Sequence, residues 1–231
     1  MSLPRVALIV AQAVSNELAC TPPNPTRPNE RFYMDEPYIF QIAPLILRAH
    51  QLILRICVVF ETLFYLASLP QFSALSTHAH YFLLIPQAPL RVTPLFVVGV
   101  VAVISGAAMR LTSFHALGEL FTFDLTVHPK HRLVTSGPYR FVRHPAYTGT
   151  LTMIAGLAFS HLSPGSWLWE CLPLHRSPVI AVVLGVVWWL WMLGVGLSRV
   201  KAEDAQMRKL FPEEWVAYAK TVPWWFIPHV V

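Results

Sequence analysis

Long apolar runs alternate with short polar stretches along this chain, and the runs have the length of membrane spans. A helix needs about 20 mostly apolar residues to cross a bilayer. Pro178 to Ser198, PVIAVVLGVVWWLWMLGVGLS, meets that without a charge. Val92 to Leu111 is nearly as apolar, with Arg91 and Arg110 at its ends. Pro145 to Ser163 carries no charge and a single histidine. Ile42 to Leu69 is long and apolar but holds Arg48, Arg55 and Glu61, which predicts one tilted or broken span whose polar groups face protein. Leu3 to Cys20 is a weaker fifth candidate. A cleaved signal peptide is the alternative there, and the absence of a small residue at a plausible −3 position favours a retained span.

The stretches between the runs differ in charge. TPPNPTRPNE, residues 21–30, is Pro-rich and reads as a stiff linker. Residues 70–91 hold one charge, Arg91, whereas 113–143 hold Lys130, Arg132, Arg140 and Arg143. The tail 199–231 holds Arg199, Lys201, Arg208, Lys209 and Lys220. With five spans the two basic segments fall on one side, and positive charge favours the cytosol. The loop 70–91 and the short Trp/Pro-rich loop 163–177 then face the other way. After Ser198 the pattern becomes amphipathic, as for a helix leaving the membrane. Pro212 interrupts it and EEWVAYA resumes it. Trp224, Trp225 and Phe226 suit the membrane interface.

Composition supports an all-α integral membrane protein of about five transmembrane helices with a polar loop and an amphipathic C-terminal tail. The 231 residues are 55% hydrophobic and 13% charged, against roughly 25% charged in a soluble domain. Mean hydropathy is +0.51. The net charge of +5 belongs to membrane-flanking loops, so it does not indicate a nucleic-acid partner. Three widely spaced cysteines, Cys20, Cys57 and Cys171, predict neither a disulfide framework nor a zinc site, and no metal is expected.

The densest polar chemistry is GPYRFVRHPAYTG, residues 137–149, at the lip of an apolar run. A second polar group opens the tail, where Arg199 and Glu203 are spaced to share one helix face. Arg199 directly follows the charge-free run. An arginine there can hold a carboxylate through two parallel hydrogen bonds, and an acid one turn further out can accept from hydroxyl or ammonium donors. Taken singly, each residue also has a structural explanation. Arg199 can snorkel with Glu203 as its helix partner. His144 can cap or pack, and His131 can be an ordinary loop residue. Tyr139 and Tyr147 can be interface aromatics, and Pro145 a first-turn proline.

Taken together, HRLVTSGPYRFVRHPAYTG (131–149) and, about fifty residues later, RVKAEDAQMRKLFPEEWVAYAKTVPWWFIP (199–228) resemble the isoprenylcysteine carboxyl methyltransferase family. MRLTSFHALGELFTF (109–123) fits the approach to the loop. The resemblance implies an enzyme that uses S-adenosyl-L-methionine to methylate the C-terminal carboxylate of prenylated cysteine. It implies a multi-pass protein of the endoplasmic reticulum membrane whose active site faces the cytosol, with C-terminally prenylated proteins as substrates. It places cofactor contacts on His131, Arg132, Leu133, Val134, Tyr139, His144, Pro145, Ala146, Tyr147 and Glu203, with one more near Thr126, and the substrate contact on Arg199. No residue is assigned as a catalytic base. It divides the chain into N-terminal spans and linker, 1–108, and a methyltransferase core, 109–231. Two departures stand out: Asp204 where the family often has a second glutamate, and FPEEW where a glycine usually follows the phenylalanine. The alternatives are an NADPH-dependent membrane sterol reductase, which carries a similar Arg-His-Pro-Tyr phrase, a methyltransferase of this architecture acting on another lipid, and a non-enzymatic scaffold.

Overall fold

A computed structural model describes residues 2–24, 43–72, 90–124, 126, 131–172, 174 and 177–230. Its helices are α1 (Leu3–Cys20), α2 (Ala43–Ala67), α3 (Pro94–Leu117), α4 (Pro145–His161), α5 (Trp167–Cys171), α6 (Pro178–Leu210) and α7 (Pro212–Thr221), and the described residues include no β-strand. The all-α expectation holds. Most of the Pro-rich segment beyond Asn24, most of the 70–91 loop and Lys130 lie outside the described residues.

Proline sets where several of these helices begin. It occupies the first or second helical position of α1, α3, α4, α6 and α7. At that position its missing N–H is no loss and its fixed φ already suits the helix. Thr93 caps α3 by accepting from the Phe96 amide at 3.2 Å. Ser166 caps the short α5, within the 163–177 loop, by accepting from the Trp169 amide. Pro212 ends α6 and opens α7, as the sequence pattern anticipates.

Three helices, α2, α3 and α6, contain stretches long and apolar enough to cross a membrane. The other two expected spans, α1 and α4, have 18 and 17 residues and pack among the long helices. The outer faces are apolar: Val179, Val182 and Val187 of α6 are 69%, 64% and 59% exposed. Water would penalise so continuous an apolar surface, and lipid does not. The protein is a multi-pass membrane protein.

The interior is correspondingly polar in places. On α1 the stripe Arg5, Gln12 and Asn16 is buried, while Leu3, Val14 and Leu18 face outward. A helix with that polarity suits the interior of a bundle in lipid. Arg5 pairs with Glu61 of α2 through Nε to Oε2 at 2.7 Å and Nη2 to Oε1 at 2.9 Å, both side chains being almost fully buried. Glu61 Oε1 also accepts from the Trp167 amide. The charge-bearing run around Glu61 is therefore one unbroken helix, with Glu61 facing protein as expected. Arg55, by contrast, pairs with Glu17 at the exposed surface.

The tightest contact joins α3 to α4. The two helices run antiparallel with Gly99 against Gly156 and Gly106 against Gly149. A Cβ on Gly106 would lie 2.5 Å from the Gly149 carbonyl oxygen, and one on Gly99 would lie 2.6 Å from that of Gly156. Small residues let helix backbones approach this closely in lipid, where van der Waals packing drives association.

Candidate functional site

The polar phrase 137–149 begins with a tight turn. Gly137 has φ +62°, a left-handed conformation that glycine adopts without a Cβ clash, and a 3-10 turn follows over Gly137–Arg140. Residues 143–148 are fastened to the C-terminal segment. The amides of Arg143 and His144 donate to the carbonyls of Trp224 and Trp225 at 2.9 and 3.0 Å. Thr148 Oγ1 donates to the Phe226 carbonyl at 2.7 Å, and Tyr218 Oη donates to that of Tyr139 at 2.7 Å. Burial pushes the phenols of Tyr139 and Tyr218 above their ordinary 10.0, so both remain proton donors at neutral pH.

This arrangement presents His144 to the extension of α6. Its Nε2 meets Asp204 Oδ1 at 2.8 Å, and its Nδ1 meets Glu203 Oε2 at 3.3 Å. Tyr147 Oη donates to Glu203 Oε1 at 2.6 Å. Asp204 is held further by Arg143 at 3.3 Å and by Trp225 Nε1 at 2.9 Å. Arg199 Nη1 donates to the Phe123 carbonyl at 2.7 Å, so its guanidinium is tied to protein and does not simply snorkel. Phe123 belongs to an aromatic cluster with Phe114 and Phe121, whose own centroids lie 4.2 Å apart. Asn24, just after α1, donates to the carbonyls of Gly118 and Phe121, both at 2.8 Å.

These elements enclose a cavity of about 570 Å³, within the range of about 300–1,000 Å³ usual for ligand pockets. His131, Arg132, Leu133, Val134, Tyr139, His144, Ala146, Tyr147, Arg199 and Glu203 all line it. Pro145 does not line it; it is buried at the first turn of α4. Thr126 also lines the cavity, and its hydroxyl lies 2.8 Å from that of Thr122. Leu47 of α2, Leu151 of α4 and Met192 and Val195 of α6 add apolar lining, and Glu17 of α1 and Arg48 and Gln51 of α2 line the cavity as well. One cavity thus brings the polar loop residues together with apolar side chains of three helices.

Residues 97–209 match the model of the isoprenylcysteine carboxyl methyltransferase family. Over this segment the chain is similar to that family. Protein-S-isoprenylcysteine O-methyltransferase B of Arabidopsis thaliana is 28% identical over 127 residues, 54% of this chain and 55% of that protein. A probable protein-S-isoprenylcysteine O-methyltransferase of Oryza sativa subsp. indica is 30% identical over 127 residues, 54% of this chain and 57% of its own length. The Rattus norvegicus protein-S-isoprenylcysteine O-methyltransferase is 27% identical over 135 residues, 58% of this chain and 41% of that protein. The chain thus spans about half the length of the plant relatives it matches and less of the rat one. The family is one of methyltransferases, so its sites accommodate a methyl donor.

Several cavity residues were not singled out by the sequence patterns. Asp204 is a central partner of His144, although in the sequence it stands out only as a departure from a family habit. Arg110 reads there as the end of a span, yet it lines the cavity. Asn24 lies in a stretch with linker composition and gives no signal of its own. The aromatic run is also corrected. Trp225 is half-buried and bonded to Asp204, and Phe226 is 5% exposed in the core beside Met192 and Val200. These two rings therefore pack inward, because the segment runs across residues 143–148 and is hydrogen-bonded to them.

Burial by itself would depress the His144 imidazole. The hydrogen bonds that the ring donates to Asp204 and then to Glu203 outweigh it and hold the group above its ordinary 6.5. A raised folded-state value means that the native protein binds the proton more tightly than the unfolded chain does. The resulting stabilisation is complete below the ordinary value and disappears as pH climbs through the folded-state value. Wild type should therefore lead His144→Gln in thermal stability most at mildly acidic pH, with the lead shrinking towards alkaline pH. Melting curves of both proteins across that range check this, and a lead that grows with pH contradicts it.

Proposed function

We propose that this protein transfers a methyl group from S-adenosyl-L-methionine to the C-terminal carboxylate of prenylated cysteine in proteins. We place this activity at the cytosolic face of the endoplasmic reticulum membrane, within a methyltransferase core spanning 109–231. The observation that carries the reading is one cavity in which the polar groups of 131–147 and α6 meet the apolar side chains of Leu47, Leu151, Met192 and Val195. The basic tail and the names of the relatives support it.

The residues present fit the donor. A charged, nucleoside-like molecule needs polar groups to orient it and ring faces for its cation. The loop supplies His131, Arg132, Tyr139, His144 and Tyr147, the backbone and side chains of Leu133, Val134 and Ala146, and α6 supplies Glu203, while Pro145 only starts α4 beneath them. When bound, the donor supplies an electrophilic methyl group on a sulfonium. The acceptor carboxylate is ionised near neutral pH, so methyl transfer moves no proton and calls for no general base. The chain's work is alignment of the reactants and exclusion of water. Arg199 is the residue we assign to the acceptor carboxylate, whose prenyl chain would lie along Leu47, Leu151, Met192 and Val195.

Purified protein should bind S-adenosylmethionine in preference to NADPH and methylate N-acetyl-S-farnesylcysteine in membranes. Binding of NADPH alone would overturn the reading in favour of a reductase. Arg199→Lys keeps the charge and loses the planar fork. It should lower kcat/KM for the farnesylated acceptor by about 2–4 kcal/mol in transition-state stabilisation and leave donor affinity nearly intact. Near-normal turnover in the lysine variant would remove Arg199 from the acceptor site.

A further inference from the structure

Arg110 is an arginine without a carboxylate. Arg5 has Glu61 and Arg143 has Asp204, whereas no carboxylate among the described residues lies within ion-pair reach of Arg110. Its Nε donates to the Ala19 carbonyl at 2.9 Å. Its Nη1 donates to the Ala146 carbonyl at 3.3 Å and to Thr150 Oγ1. Its guanidinium carbon lies 5.3 Å and 5.2 Å from the ring centroids of Phe114 and Phe123. Nη2 donates no hydrogen bond to another of the described residues. All its partners are neutral.

An arginine does not shed its charge in a protein, and a charge in an apolar span without a counter-charge marks a place where an ion is handled. The surroundings accommodate this side chain closely. A Cβ on Gly149 would lie 2.9 Å from Arg110 Cγ, so the last glycine of the polar phrase leaves room for the arginine stem. Ala146 and Thr150, which accept from the fork, flank that glycine on α4. Arg110 also lines the cavity shared with Arg199 and Glu203.

We propose that Arg110 is a second carboxylate-binding arginine of this site, with the open edge of its fork taking a carboxylate of one of the two reactants. This rests on the methyl-transfer reading above. In that reading both reactants carry the group: the amino-acid end of the donor and the terminus of the prenylcysteine. The fixed edge of the fork, held by Ala19, Ala146 and Thr150, sets the plane of the guanidinium. The open edge then offers the directional donors that a carboxylate prefers.

The test uses full-length protein in lipid nanodiscs and two ligand pairs, each differing by a carboxylate. The donor pair is S-adenosylmethionine and its decarboxylated form. The acceptor pair is N-acetyl-S-farnesylcysteine and its carboxamide. Wild type should prefer the carboxylate member of both pairs. Arg110→Gln should shrink that preference by about 10- to 100-fold in one pair, the loss of a charged hydrogen bond, and leave the other pair unchanged. The affected pair identifies the source of the carboxylate. A folded glutamine variant that keeps both preferences overturns the proposal and leaves Arg110 as a tether of α1, α3 and α4. If the glutamine variant does not fold, Arg110→Lys decides, because a point charge without the fork should still cut one preference several-fold; wild-type preferences in that variant overturn the proposal as well. Failure of wild type to bind either donor form is a separate result, which rejects the methyl-transfer reading and this inference with it.

Discussion

Gly149→Val should leave little folded protein, and Gly106→Val should do the same. A Cβ at residue 149 would sit 2.5 Å from the Gly106 carbonyl oxygen, 2.9 Å from Arg110 Cγ and 3.2 Å from the Arg110 amide nitrogen. At residue 106 it would sit 2.5 Å from the Gly149 carbonyl oxygen and 2.8 Å from Met153 Cγ. The principal obstacle at each position is backbone on the facing helix, which cannot rotate away like the end of a side chain. The helices must part along their length, so the neighbouring Gly99–Gly156 contact opens too. Replacing glycine within a helix gains about 0.5–1 kcal/mol of propensity at best, whereas overpacking costs about 1–3 kcal/mol or more. The second effect wins, and more so here because α4 carries His144 and Tyr147 at its start and sits in the centre of the bundle. Gly196→Ala is the control for stability, since its Cβ would find ordinary contacts at 3.6 Å from Tyr147 and 3.9 Å from Phe226. Thermal unfolding in detergent should show the two valine variants melting far below wild type, with Gly196→Ala close to it. Wild-type melting of Gly149→Val would mean that α3 and α4 do not approach as closely as this register requires.

That contact shows where sequence reading reaches and where it stops. The spans are legible because each is a long run without charge and several begin at a proline, features that belong to one segment at a time. The helix-facing glycines are not legible in the same way. Gly99 and Gly106 lie seven residues apart, as do Gly149 and Gly156, but a glycine in an apolar run acquires meaning only when the register of its partner is known. The same division holds in the site. Arg199 and Glu203 are readable because helical spacing alone puts them on one face. Asp204 lies next to Glu203 without such a spacing, and its bond to His144 becomes visible only when residues 143–148 are docked. Arg110 has the local look of a span terminus, and only the course of α1 and α4 shows how its fork is held. Trp225 and Phe226 have interface composition but are drawn inward by backbone hydrogen bonds, and composition does not encode those bonds.

Truncation after Thr221 should abolish donor binding although it removes none of the residues assigned to the donor. The segment that would be lost supplies three backbone acceptors to the polar loop: Trp224 to the Arg143 amide, Trp225 to the His144 amide and Phe226 to Thr148 Oγ1. It also supplies the Val222 carbonyl to Arg143 Nη1 at 2.8 Å and the Trp225 indole to Asp204. At about 1 kcal/mol net for each such bond, these alone represent several kcal/mol. Burial of Val222 and Phe226, 4% and 5% exposed, adds about 1.5–3 kcal/mol each. A domain is stable by only about 5–15 kcal/mol in total, so residues 143–148 cannot hold their place without the segment. His144 and Tyr147 would then leave Asp204 and Glu203, and the polar wall of the cavity would open. S-adenosylmethionine affinity should fall by about 100-fold or more, which corresponds to about 2.7 kcal/mol or more. Trp225→Phe gives a graded companion: it removes the indole N–H from Asp204 and keeps most of the ring packing, so its loss should be about tenfold or less, the range of one hydrogen bond to a charged group. Isothermal titration of the donor into wild type, the truncated protein and Trp225→Phe should rank them in the order wild type, Trp225→Phe, truncation. If the truncated protein folds and binds the donor as wild type does, the C-terminal segment only covers the surface, and residues 143–148 must hold their conformation through the bonds of Arg143, His144 and Tyr147 to Glu203 and Asp204.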